Sequence, residues 1–238
     1  MKKPLRVALV CAGAMNSGSL SRFPRLRERI SWVMSTTPSA ASRAANSLGR
    51  GKPVRCSSEI QVADVFAIRA PEAHVNRLIH DLSTCGIAWE GRVVVILDSV
   101  LDSGALARVE QAGAYAASID CVNTIGDHPL VEGHEEALRL LGTLCDLKSH
   151  RALELRKGAK ADYMNAVNCA NSSFLPLVGE LVECLMKAGM TKAAADNAAA
   201  SLFTSAVQAW TRAGRRLLKR QPSPLTSKHV SEARVCRD

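Results

Sequence analysis

Aromatic residues make up only 4% of the 238-residue chain. Few flat side chains are on hand to stack unpaired bases, so nucleic acid is a disfavoured partner even at a formal charge of +9. Long apolar runs are also missing. Hydrophobic residues reach 47%, yet no run attains the roughly 18 residues that cross a bilayer, and a soluble chain with no membrane partner is expected. Met1-Lys2-Lys3-Pro4 leads straight into an apolar segment, without the longer apolar stretch and small-residue cleavage site of a secretory signal. A cytoplasmic location follows as an expectation. The eight cysteines include no C-x-x-C pair and no histidine at zinc-ligand spacing, which argues against a disulfide framework and against a metal site. Neither G-x-S-x-G nor a Walker loop occurs, so hydrolase and NTPase readings lack their motif. The basic run Arg212, Arg215, Arg216, Lys219 and Arg220 falls at the end of an expected helix, where the dipole favours cations.

What is present is an alternation of strands and helices. Strands are expected at Leu5 to Val10, Ile30 to Met34, Ala63 to Ile68, Val93 to Leu97 and Tyr115 to Ile119, each a short apolar run ending at turn-forming residues. Helical spacing fills Ser39 to Leu48, Glu72 to Thr84 and Ser103 to Ala112. Such alternation predicts an α/β fold, a Rossmann-type doubly wound parallel sheet. After Gly133 the pattern turns helical, first over Glu135 to Leu144 and then over nearly all of Lys157 to Lys219, with Gly189 ending one helix and Thr191 capping the next. The expected domains are 1–150 for dinucleotide binding, 151–221 as a smaller all-helical domain, and 222–238 as an extended tail after Pro222-Ser223-Pro224.

The first strand runs into Cys11-Ala12-Gly13-Ala14-Met15-Asn16, the place of G-x-G-x-x-G in a dinucleotide-binding unit. Only the central glycine, Gly13, is kept. A side chain at Cys11 and another at Asn16 are expected to tighten or reshape the loop. Pro24 further implies a first helix that is short, kinked or restarted. An acidic residue that would grip the ribose of NAD is missing, since no Asp or Glu occurs from Ser31 to Ser58. Ser35, Thr36, Thr37 and Arg43 stand there instead, hydroxyls and a guanidinium suited to a 2′-phosphate. NADP(H) is therefore expected over NAD(H), while Thr37 or Ser39 also suits the cap of the following helix.

These landmarks resemble a family of Rossmann-like proteins with an appended helical domain of unassigned function. That family is related to deazaflavin-dependent NADP oxidoreductases, pyrroline-5-carboxylate reductases and 6-phosphogluconate-dehydrogenase-like enzymes. The resemblance rests on Val7 to Gly13, Ser42 to Leu48, Val131-Glu132-Gly133, Lys160-Ala161-Asp162-Tyr163 and Ser223-Pro224-Leu225. Three departures stand out. Asp120-Cys121 replaces a His-Pro pair of many relatives, Met164 replaces the histidine after the tyrosine, and Thr226 to His229 replaces an Ala-Arg-Gly-Asp-like run.

Ligands of an open α/β sheet lie beyond the carboxyl ends of its strands, so Arg69 and Pro71 are expected to border ribose or nicotinamide, and Asp98 to orient a substrate group or serve as a local cap. From the helical domain, Lys160, Tyr163, Val167 and Asn171 fall on one stripe with Asn168 at its edge. Lys160 is the candidate general acid or base, Tyr163 the proton donor or clamp, and Asn168 an orienting hydrogen bonder. The alternative is that these residues are solvated, packing and interhelical residues. The expected activity is NADP(H)-dependent reduction or oxidation of a small carbonyl, imine or hydroxy-acid substrate bound between the domains, against a non-catalytic nucleotide-binding or regulatory protein. The apolar surface of the helices after Lys157, together with the pairing of related proteins, implies a homodimer.

Overall fold

The computed structural model describes residues 4–13, 19–122, 124 and 127–213. The expected tail, Arg215, Arg216, Lys219 and Arg220, and Ala14, Met15 and Asn16 of the glycine loop lie outside the described residues. The chain divides into two compact units, 1–168 and 169–238.

Unit one holds an eight-stranded sheet. In chain order its strands are β1 (Val7–Cys11), β2 (Ile30–Ser35), β3 (Lys52–Pro53), β4 (Val65–Arg69), β5 (Val93–Leu97), β6 (Tyr115–Asp120), β7 (Leu130–Gly133) and β8 (Leu153–Glu154), and they lie in the order β3-β2-β1-β4-β5-β6-β7-β8. Every pairing is parallel except β6 with β7. The chain winds outward from β1 toward β3, then returns to place β4 on the other side of β1, which makes the β1/β4 boundary the switch point.

Helices cover both faces, and strict alternation along the strands shows why. Val7, Leu9 and Cys11 enter one core with Phe23, Leu26, Leu48 and Leu141, whereas Ala8, Val10, Phe66 and Ile68 enter the other with Val75, Ile79, Leu82 and Val109. The first core is roofed by α1 (Ser19–Arg22), α2 (Pro24–Glu28), α3 (Pro38–Leu48) and α6 (Glu135–Leu144), and the second by α4 (Glu72–Thr84) and α5 (Ala107–Gln111). The first helix does restart at Pro24, which occupies N1 of α2. Arg27 of α2 donates to the last carbonyl of α3, that of Leu48, while Arg50 donates to the last carbonyl of α2, that of Glu28. Each helix thus supplies, or leads to, a cation at the other's carboxyl end.

Three strands are absent from the sequence expectation. β3 and β8 have two residues each and are exposed, leaving little alternation to read; β7 ends in Glu132-Gly133, residues of poor strand propensity. The 3-10 turn Ser103–Leu106 precedes α5 where one helix was expected.

Lys160 opens α7 (Lys160–Cys169), which is followed by a π-helical turn over Ala170–Phe174. In unit two, α8 (Leu175–Lys187) packs on α9 (Lys192–Ala213), with the Phe174 and Phe203 rings edge to face at 4.7 Å. Gly189 ends α8 with φ +95°, and Thr191 accepts from the Ala194 N–H at 3.4 Å, as their residue types predict. Among the described residues, no helix is long and apolar enough to cross a membrane.

All seven described cysteines are free. Burial pushes the Cys121 thiol up to about 11, and burial likewise raises Cys145 and Cys11 above their ordinary 9.0. These thiols hold protons in the folded chain that the unfolded chain has released, so their contribution to stability declines as pH rises above about 9. Lys160, held below its ordinary value, opposes this below pH 10.5 but is one group against three. The unfolding free energy from urea titration is expected to drop between about pH 8 and pH 10.5; a flat or rising profile contradicts the assignment.

Candidate functional site

At the switch point the ends of β1 and β4 are laced together, the Ala12 N–H donating to the Arg69 carbonyl at 3.1 Å. Gly13 follows with φ +77°, and a Cβ there would stand 3.4 Å from Cδ and Cγ of Pro71. The position therefore suits glycine on backbone grounds, and the space above it belongs to the next strand's end. Cys11 is the last residue of β1. It is 1% exposed and turned into the core beside Leu9, so the first glycine of the motif is replaced by a core residue. The Ser35 hydroxyl donates to the Cys11 carbonyl at 2.7 Å, joining the ends of β1 and β2. Thr36 and Thr37 are exposed, with Thr37 capping α3 by accepting from the Ala40 N–H at 3.2 Å; Arg43 is exposed one turn further on.

A cavity of about 180 Å³ is lined by Ala12, Arg69, Ala70, Pro71 and Asp98. Asp98 directly follows β5 with φ +53°, a left-handed conformation that Asp tolerates. Its role is wider than the local cap. Its carboxylate accepts from the Ser19 N–H at 2.8 Å, the Ser19 hydroxyl at 2.8 Å, Arg69 Nε at 3.2 Å and the Cys121 N–H at 3.2 Å. One buried charge thus binds together α1 and the ends of β4, β5 and β6. Arg69 supplies the balancing charge.

A second buried cluster lies one strand along. The β6/β7 register sets Ser118 opposite Glu132, and Asp120 lies two residues from Ser118, hence on the same face. Lys160 reaches this cluster from the start of α7. Its ammonium donates to the Ser99 carbonyl, to Ser118 Oγ at 2.8 Å and lies 3.4 Å from Asp120 Oδ2, which matches three acceptors to three N–H bonds. Lys160 is 1% exposed and Asp120 0%. Burial drives the amine below its ordinary value, while Asp120, then Glu132 and Asp98, pull it back. Glu132 accepts from the Ser103 N–H at 2.6 Å, the Ser103 hydroxyl at 2.8 Å and the Gly158 N–H at 3.2 Å.

The structure therefore gathers Gly13, Arg69 and Pro71 at the β1/β4 ends and places Lys160 beside the ends of β5 and β6. Ser35, Thr36, Thr37 and Arg43 belong to the β2 end. Tyr163 is half-buried on α7, and Asn168 is exposed near its end. Ser99 and Asp120 stand just past or at a strand end, where the sequence reading looks for ligand-facing residues, whereas Ser118 and Glu132 were not among the sequence candidates for chemistry; a polar residue inside an otherwise apolar strand was the available signal. Among the described residues no cluster of His, Cys, Asp and Glu could hold a metal ion.

No protein-family model matches the sequence, and no curated protein matches it. Solved structures do. An imine reductase from a Pseudomonas species superposes with a TM-score of 0.63 at 19% identity, covering 98% of this chain and 85% of its own. An imine reductase variant from Myxococcus stipitatus in complex with NAD+ gives 0.66 at 13% identity, covering 98% and 84%. A pyrroline-5-carboxylate reductase from Coxiella burnetii gives 0.55 at 12%, covering 97% and 90%. At these identities the shared property is the fold, a Rossmann-type sheet followed by a helical region.

Proposed function

We propose that the chain is an NADP(H)-dependent oxidoreductase acting on a small carbonyl, imine or hydroxy-acid substrate, with NAD(H) as the lesser alternative. The observation that carries this reading is the left-handed conformation of Gly13 at the β1/β4 switch point, next to Ala12 and Pro71, which line the crevice there. Gly13, Arg69 and Pro71, with Ala14, Met15 and Asn16 of the same loop, would hold the diphosphate and nicotinamide half. Ser35, Thr36, Thr37 and Arg43 would hold the adenosine half and its 2′-phosphate, in a stretch that also carries Arg50, Lys52 and Arg55 and no acid. The bound nicotinamide would supply hydride transfer. Lys160 would then handle the proton at the substrate oxygen or nitrogen, the substrate competing for the N–H now facing Asp120, the longest of its three contacts. Tyr163 would clamp the substrate and Asn168 orient it. Support comes also from the imine reductase and reductase likenesses of fold.

A second reading is favoured by one observation. All three N–H bonds of Lys160 are matched inside the protein, as suits a non-catalytic nucleotide-binding or regulatory protein with a degenerate phosphate loop. We further propose a homodimer in which a second copy covers the apolar residues exposed on unit two, among them Leu175, Leu177, Leu202 and Trp210.

Arg43→Glu is expected to weaken NADPH binding about tenfold or more and to leave NADH nearly unchanged, measured by fluorescence titration. Equal losses for both coenzymes would refute the 2′-phosphate assignment. Turnover of NADPH on a panel of ketones and cyclic imines decides between the two readings: oxidation of the coenzyme supports the enzyme, and binding without turnover supports the second reading.

A further inference from the structure

We propose that Asp120 is a positioning residue that holds the Lys160 ammonium at the carboxyl ends of β5 and β6 and keeps it charged there. The inference rests on the oxidoreductase reading only for its catalytic consequence; the pairing itself rests on geometry. Asp120 ends β6, and the chain turns immediately after it, with the Val122 N–H donating back to Asp120 Oδ1 at 2.8 Å. That contact fixes the carboxylate and leaves its other oxygen, Oδ2, 3.4 Å from the Lys160 amine. Both side chains are buried. The other acceptors of the amine, the Ser99 carbonyl and the Ser118 hydroxyl, are neutral, and the Ser118 hydroxyl passes its own proton on to the Leu101 carbonyl at 3.3 Å.

The charged groups around the amine come from three strands. Asp98 follows β5 and is already paired with Arg69, Glu132 on β7 is already engaged by Ser103 and Gly158, and Asp120 on β6 is in direct contact. Desolvation alone favours a neutral amine, whereas a carboxylate at this range favours the ammonium. Asp120, the carboxylate in direct contact, is therefore the charged group that most favours the ammonium.

The direct test follows the Lys160 Cε and Nζ resonances of isotopically labelled full-length protein through a pH titration, the signals being assigned by their loss in Lys160→Met. In Asp120→Asn the amine is expected to lose its proton about one pH unit or more below its wild-type value. Identical titrations in the two proteins overturn the proposal. If NADPH turnover is found, the alkaline limb of its rate profile should move down by the same amount in Asp120→Asn, a change that a merely structural role would not produce. Absence of turnover in the wild-type protein counts against the oxidoreductase reading alone, and the titration still decides the pairing. If Asp120→Asn does not fold, the double variant Lys160→Met/Asp120→Asn, in which neither charge is stranded, is expected to fold; failure of both overturns the proposal.

Discussion

Gly133→Ala is expected to destabilise the chain by about 3–5 kcal/mol, enough to unfold much of it at 37 °C. The glycine has φ +141°, outside the range of residues with a side chain. A Cβ would stand 2.4 Å from the Ala116 carbonyl oxygen and 2.5 Å from Ala117 Cα, both backbone atoms of the neighbouring strand. Neither can rotate away. The added methyl must therefore push β7 off β6, and it does so within their antiparallel pairing, where the His134 N–H also donates to the Ala116 carbonyl. Thermal unfolding measures the effect; a melting temperature within a degree or two of wild type would contradict the packing described here.

Glu132→Ala is expected to cost about 3–5 kcal/mol by a different route. The carboxylate is 1% exposed and accepts three hydrogen bonds, two from Ser103 and one from the Gly158 N–H. Its removal leaves two backbone N–H groups and a hydroxyl facing a cavity, and releases the segment leading into α7 from the sheet. Glu132→Gln keeps one acceptor oxygen and should lose roughly half as much. Urea denaturation of the two variants gives the comparison, and equal losses would show that volume rather than acceptor capacity matters.

Both residues sit in the Val131-Glu132-Gly133 run that marks the resemblance in the sequence, yet their reasons are visible only in three dimensions. The sequence shows a glycine after a glutamate; it does not show that a strand passes 2.4 Å from the missing Cβ. The five longer strands were legible because each is a short, largely apolar run, and the structure places them within two residues of their expected bounds. The antiparallel turn into β7 was not, since a four-residue strand with a charged and a flexible residue has no periodicity to detect. Lys160 was picked out by its place on a helical stripe, but a stripe gives direction and not depth. Its burial depends on Ser118, Asp120 and the Ser99 carbonyl, brought together by strand register across some 60 residues of chain. Cys11 reads as damage to a glycine motif until its side chain is seen in the core. Asp98 was legible as a polar residue past a strand, while its part in joining three strand ends and α1 was not.

Isothermal titration of the full-length protein with NADPH bears most directly on whether the strand-end crevice beside Ala12 and Pro71 receives a dinucleotide. Saturable binding of one NADPH per chain is expected, with NADH bound about tenfold more weakly. An absence of heat with either coenzyme, from protein shown to be folded by its cooperative melting, would contradict it.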